Sequence, residues 1–232
     1  MPRPLSLVAA PTIALLGLAA VPAVGSAAAI TPSAPCYSSL YQPGNTQYQP
    51  ITGTISGGTP GGRFQIYGVG GKAGSQVGNF DAAGNATYSI GGSYSTAGIY
   101  PSAGRAVKLE VTEFLPGGSP ITGSADIKTA TIAVDVSTKP SNPRKKRLVR
   151  ASATIFAGQK VYGFIVRGTK STKVLKRFEI GTGNVCGYVS RKAVVAPSNY
   201  RTGSYTLYVN AGKKLDKSKA LGSGFRIRRT SF

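Results

Sequence analysis

Short runs in which apolar and polar residues alternate, cut by glycine- and proline-rich turns, recur through most of this chain. A period of two sends successive side chains to opposite faces of an extended backbone, so such runs read as half-buried strands. Val107, Leu109 and Val111 alternate with Lys108 and Glu110, and Ile132, Val134 and Val136 alternate with Ala133 and Asp135. Residues 63–69 and 86–90 are further candidates, set between turn-rich breaks at 57–62, 81–85 and 115–118. Towards the C-terminus the same reading predicts strands at 148–156, 161–167, 174–180, 185–195, 205–210 and 225–228. Helix is disfavoured: the chain holds three Glu against 31 Gly and 15 Pro, and no 3.6-period run carries a cap. Many short strands at near-regular spacing predict an all-β protein of antiparallel sandwiches or barrels.

The first residues read as an address rather than as part of that fold. Arg3 supplies a positive charge, residues 5–24 are apolar apart from Ser6 and Thr12, and small residues follow at 25–29. A charged start, an apolar stretch and a small-residue exit describe a secretory signal peptide, taken here as residues 1–29. Cleavage after Ala27 or after Ala29 fits equally well. No later stretch is long and apolar enough to span a bilayer, so the mature chain is expected without a transmembrane segment, secreted or associated with the cell envelope. Export gives the two cysteines a meaning, because an oxidising compartment favours one bridge between Cys36 and Cys186.

Charge divides the chain. Residues 1–140 carry 7 Lys+Arg against 5 Asp+Glu, whereas residues 141–232 carry 21 against 2. The change falls at a stretch with two prolines and a basic run, which reads as a linker at 140–147. The expected organisation is a signal peptide (1–29), an N-terminal arm (30–46), a near-neutral β-domain (47–139), the linker (140–147) and a basic β-domain (148–232).

The run ITGTISGGTPGGRFQI at 51–66 and the hairpin-like FDAAGNATYSI at 80–90 resemble the opening and a turn of bacterial extracellular Ig-like repeats. Cys36 and Tyr37, followed by Pro43 and Gly44, are similar to the lead-in of such domains. VYGFIVR at 161–167, LKRFEIG at 175–181 and then Cys186 and Gly187 resemble stretches of secreted actinobacterial proteins. The chain departs from the repeat pattern at Gly58 and Thr59, where an aromatic is usual. The resemblance implies two tandem Ig-like antiparallel β-sandwich domains and an exported location. It brings no catalytic residues with it, and fold alone does not fix a ligand.

The residue inventory removes several chemistries. No histidine is present, so Ser-His-Asp and Cys-His catalysis and the HExxH zinc proteases are excluded. With two Cys and no His, a tetrahedral structural zinc site is excluded as well. GVGGKAG at 68–74 mimics a dinucleotide fingerprint, but no helix-forming run follows, and it reads as a hairpin loop. Glu110 and Glu113 sit on opposite faces of one predicted strand, which does not make a glycosidase pair. Asp81 and Asn85 offer too few oxygens for a tight calcium site. No catalytic residue, metal site or cofactor is therefore assigned.

The basic excess is the strongest functional signal. Arg144, Lys145, Lys146 and Arg147 with Arg150 form one cluster; Arg191 and Lys192 form a second. Lys213 and Lys214 with Lys217 and Lys219 make a third, and Arg226, Arg228 and Arg229 a fourth. Such a domain attracts polyanions, with binding that weakens steeply with salt. For an exported protein the expected partners are anionic cell-envelope polymers or acidic polysaccharide, without specific recognition of nucleic acid. Tyr162, Phe164, Tyr200, Tyr205 and Tyr208 interleave with the clusters, either as stacking surfaces or as sandwich core. The leading expectation is a non-catalytic exported protein. The rival is a secreted effector: a hydrolase with an unrecognised carboxylate site, or a cationic agent acting on membranes or nucleic acid.

Overall fold

A computed structural model describes residues 28–42, 45–96, 98–118, 120–142 and 144–228. Residues 1–27 of the predicted signal peptide, and Arg229, lie outside the described residues. The chain is all-β, and its sheets face one another as sandwiches. Among the described residues fifteen strands follow in order: β1 (Ala29–Pro32), β2 (Cys36–Leu40), β3 (Gln47–Tyr48), β4 (Ile51–Ser56), β5 (Arg63–Gly68), β6 (Ala73–Asn79), β7 (Ala86–Ile90) and β8 (Arg105–Phe114). Then come β9 (Ile121–Val136), β10 (Arg147–Ser152), β11 (Lys160–Arg167), β12 (Val174–Thr182), β13 (Val189–Ala193), β14 (Gly203–Ala211) and β15 (Leu221–Ile227). Among these strands pairing is antiparallel except between β2 and β9, which run parallel; an isolated parallel bridge joins Ala157 and Gly183.

The organising element is β9, 16 residues long, which serves two cores. Its first part pairs with β8, from Ile121↔Glu113 to Thr129↔Arg105, and its last part pairs with β10, from Ala133↔Ser152 to Val136↔Val149. Odd-numbered Ile127 joins the first core with Ile51, Ile55, Phe64, Ile66, Tyr88 and Leu109. Even-numbered Ile132, Val134 and Val136 pack against the second, with Val149, Phe156, Ile165, Leu207 and Val209. Because alternate side chains of a strand point oppositely, the two sandwiches lie on opposite faces of this one strand. The division between cores therefore falls inside β9. The proline-containing stretch expected as a linker is the turn of the β9–β10 hairpin, with the buried Arg147 donating from Nε to the Pro140 carbonyl and from Nη2 to that of Ser141, each at 3.1 Å.

The segment expected as an N-terminal arm is also structured. β1 pairs with β4 along its length, from Ala29↔Ser56 to Pro32↔Gly53, and Ala28 is 2% exposed in the first core. β2 lies beside β9, placing Tyr37 in the first core and Cys36 on the opposite face against Ala130. The GVGGKAG run forms the β5–β6 hairpin, as its composition indicates. The predicted strand 185–195 is shorter than expected: 183–188 turn first, with the Asn184 side-chain oxygen accepting the N–H groups of Cys186 and Tyr188. Competition from such a side chain is why Asn favours turns over strands.

Cys36 and Cys186 are bonded, with Cα atoms 5.3 Å apart and a sequence separation of 150. The bridge joins β2, which flanks the first core, to the turn before β13. Two glycines make room for it. A Cβ on Gly104 would lie 2.6 Å from Cys186 Sγ, and one on Gly187 would lie 1.7 Å from the Ala153 carbonyl oxygen; both residues have positive φ. Asn184 Nδ2 adds a hydrogen bond across the junction to the Ala103 carbonyl.

Two predictions follow from this packing. Chain-entropy arithmetic for a 150-residue loop gives about 5 kcal/mol of stabilisation from the bridge. Replacing both cysteines by serine is therefore expected to lower the urea-unfolding free energy by about 3–5 kcal/mol; a change under about 0.5 kcal/mol overturns the clamp. Tyr88 and Tyr94, buried in the first core, have hydroxyls pushed well above the ordinary tyrosine range, chiefly by desolvation. The native state keeps these protons where the unfolded chain releases them, so their contribution is complete below about pH 10 and is lost as pH rises beyond it. Urea midpoints should fall from pH 9 to pH 11, with part of the phenolate absorbance developing only on unfolding.

Candidate basic surface

The second sandwich packs the sheet β12-β11-β14-β15 against β9, β10 and β13. The outer face of the four-stranded sheet is not left open. The β11–β12 connection (168–173) and the β14–β15 loop (212–220) fold onto it, and Tyr162, Phe164, Val166, Thr206 and Asn210 are buried there. The loops are held by polar contacts. Asn210 Nδ2 donates to the carbonyls of Ala211 (2.7 Å) and Lys214 (3.1 Å), and Lys217 Nζ donates to those of Thr169 (3.1 Å) and Ser171 (2.7 Å). Lys217 also lies 5.1 Å from the Tyr208 ring centroid, a cation–π geometry. The Asp216 carboxylate caps its own turn by accepting the N–H and hydroxyl of Ser218, which hold its pKa below the usual range.

Between β12 and the β14–β15 loop runs a groove of about 660 Å³. Phe164, Val174, Leu175 and Leu215 give it an aliphatic-rich floor, and Lys176, Arg177, Lys213, Lys214 and Lys217 stand around it. No carboxylate lines it. Arg177 Nη1 donates to the Lys213 carbonyl at 2.9 Å, which ties the strand to the loop while the Lys213 and Lys214 side chains stay exposed. Lys176 reaches the Ala196 carbonyl at 3.2 Å and, being partly buried, has its pKa drawn down by desolvation.

A second groove of about 690 Å³ lies at the end of the β9–β10 hairpin. Lys192 of β13 stands opposite Leu148 of β10, and Lys139 and Lys146 join them. A third, of about 470 Å³, is lined by Thr202, Gly203, Arg226, Ile227 and Arg228.

The predicted cations thus separate by role. Lys146, Lys192, Lys213, Lys214, Arg226 and Arg228 are exposed beside grooves, and Arg144, Lys145 and Lys219 are exposed on turns. Three have structural partners instead. Arg150 forms the one ion pair among the described residues, with Asp135 at 2.6 Å, while Arg147 and Lys217 serve backbone carbonyls. Arg191, although exposed, donates to the Glu179 carbonyl at 2.6 Å. Lys139, Lys176 and Arg177 stand in the grooves although they lie outside the four sequence clusters. Register supplies them, since Arg177 is paired with Phe164 and Lys139 closes a hairpin turn.

The aromatic residues do not form a stacking platform. Tyr162, Phe164 and Tyr205 are buried, Tyr208 lies beneath Lys217, and Tyr205 is stacked against Phe225 with centroids 5.9 Å apart. Glu110 and Glu113 face opposite ways on β8; Glu113 is 1% exposed and accepts the Thr59 N–H at 2.9 Å, fixing the glycine-rich turn at 57–62. Asp81 is spent on the N–H groups of Ala83 and Asn85. Among the described residues there is no group of three or more His, Cys, Asp and Glu able to hold a metal ion.

The division of cations between fold and surface is testable. Lys217→Met and Arg147→Met should each cost about 1–2 kcal/mol in urea unfolding, because buried or shared carbonyls lose their donors. Lys213→Met and Lys146→Met should stay within about 0.5 kcal/mol of the parent. Equal costs in the two groups overturn the assignment.

No protein-family model matches the chain, and no curated protein matches it. Among solved structures it is similar to the tetra-tandem repeat in the extending region of a large adhesion protein, at 14% identity and a TM-score of 0.29; the match covers 87% of this chain and 49% of that one. It is similar to the D0-D1 domain of intimin at 11% identity and a TM-score of 0.31, covering 86% and 96%. A two-domain fibronectin type-III segment of chicken tenascin matches at 10% identity and 0.29, covering 85% and 97%. Scores this low bring no residue of this chain into correspondence with a functional residue elsewhere.

Proposed function

We propose that this is an exported, non-catalytic protein whose basic second half associates with anionic polymers of the cell envelope or with acidic polysaccharide. The observation that carries the reading is the pair of grooves in which Lys213 and Lys214, and Lys139, Lys146 and Lys192, gather with no carboxylate in either lining. Unpaired cations brought together repel one another, so a fold that keeps them solvent-facing and unneutralised is poised for an external anion. A bridge between cysteines 150 residues apart suits an oxidising compartment. Among the described residues no helix is long and apolar enough to cross a membrane. Of the two cleavage positions, the one after Ala27 fits the packing, because a cut after Ala29 removes the core residue Ala28 and the Ala29↔Ser56 pair.

The test uses the full chain, since β9 contributes to both cores and a fragment beginning after it loses one strand of the second sandwich. Affinity for an immobilised anionic polymer is expected to fall about a hundredfold between about 50 and 200 mM salt, the loss for roughly four neutralised charges. Absent or salt-insensitive binding overturns the reading. The intact mass of exported material should begin at Ala28 and rise by two daltons on reduction.

A further inference from the structure

Resting on the polyanion reading, the geometry points to a single path for the polymer. We propose that one flexible linear polyanion lies across the seam where the edge strands β12 and β13 meet, and occupies both grooves at once. The two strands close the same side of the second sandwich. Arg191 of β13 donates to the Glu179 carbonyl of β12, and Lys176 of β12 donates to Ala196, just beyond β13. The first groove opens on the outer face of β12, where Arg177 stands beside Phe164. The second opens on the outer face of β10 and β13, where Lys192 stands beside Leu148. Arg177 lines the first groove, and the exposed Arg191 lies between the two grooves on the seam. A basic band thus runs from Lys213 and Lys214, round the edge of the sandwich, to Lys192 and Lys146. Glu179, Asp216 and Asp135 are the acids beside this path; Asp216 is engaged by Ser218, and Asp135 by Arg150.

The shape selects the ligand class. The path turns over a sheet-to-sheet thickness of about 10 Å, which a duplex with a persistence length of about 50 nm does not follow. Single-stranded nucleic acid gains most from stacking its bases on aromatic faces, and the rings in this region are buried or covered. The floor of the first groove is aliphatic instead, with Val174 and Leu175 39% and 38% exposed. An unbranched polymer with phosphate charges on an aliphatic polyol backbone matches both the rim and the floor. Arg226 and Arg228 lie outside the path, because β15 is the far edge of a sheet in which β12 is the near one, about 14 Å across three strand spacings. That exceeds the Debye length of about 8 Å at physiological salt, so their charge is largely screened from the seam.

The test compares poly(glycerol phosphate) of about 3 and about 30 units, with polygalacturonate and single-stranded DNA of matched charge, against four forms of the full chain. These are the parent, K213Q/K214Q, K146Q/K192Q and the equal-charge control R226Q/R228Q. The long polymer should bind the parent at least about tenfold more tightly per repeat unit than the short one, through joint occupancy. Either seam variant should lose that advantage, while the control keeps parental affinity within about threefold. Equal losses in the control and the seam variants, or a length advantage that survives in the seam variants, overturn the path. DNA or polygalacturonate binding more than about tenfold tighter than the polyol phosphate overturns the ligand class. Failure of every polyanion to bind the parent at low salt defeats the underlying reading rather than the path alone.

Discussion

The period of two along β9 is the constraint on which the rest of the molecule depends. One extended strand has two faces, and this one gives Ile127 to the first core and Ile132, Val134 and Val136 to the second. Between them the chain uses small or polar residues: Thr129 and Thr131 turn to the first side, where their hydroxyls donate to the carbonyls of Ser95 and Gly98. Ala130 turns to the other, beneath the disulfide. The halves are therefore offset along a common strand rather than strung on a flexible tether. The Cys36–Cys186 bridge acts on the same joint, since Cys36 belongs to the strand laid parallel beside β9.

That arrangement explains which parts of the fold were legible in the sequence. Strands with clean alternation, such as Val107–Leu109–Val111, were visible because their period survives in any sheet. The shared strand was only half visible. Residues 122–131 carry small and polar side chains with a single large apolar one, Ile127, so no run of alternation announces them. Its signal was a change of parity, odd at Ile127 and even from Ile132, which takes meaning only once both halves are known to continue one strand. The stretch at 140–147 is ambiguous for a related reason: two prolines and a basic run mark a linker and a turn equally well, and length does not reveal whether the flanking strands pair. The segment at 29–40 contains Pro32 and Pro35 and few large apolar groups, so its strandedness comes from edge pairing with β4 and β9 rather than from propensity.

The candidate surface shows the same split. Adjacent lysines in the sequence were easily seen, but neighbours in sequence are not neighbours in function. Lys213, Lys214 and Lys217 share a loop, yet the first two face solvent while the third is tied to the carbonyls of Thr169 and Ser171. Conversely, Lys139, Lys146 and Lys192 come together only because β10 pairs with both β9 and β13. Arg150 sat in a cluster by sequence and is removed from it by Asp135, its neighbour across the sheet. Register, which composition does not encode, decides which cations remain available.

A half carrying 21 basic and 2 acidic residues works against its own folding, since like charges held in a compact body repel. The structure meets this in two ways. Long side chains are directed to carbonyl oxygens, as in Arg147, Arg177, Arg191 and Lys217, where the partial negative charge of the backbone offsets part of the repulsion without neutralising the surface. The disulfide then limits how far the unfolded chain can expand, which raises the free energy of the state that repulsion favours. Evolving more carboxylates is the simpler remedy, and Asp135 shows that the sheet accommodates one. Its restriction to a single ion pair among the described residues leaves the groove lysines unneutralised, so an anion that binds the folded state relieves repulsion and stabilises the fold by mass action. On the proposed function, stability and binding are in this way coupled through the same uncompensated charge.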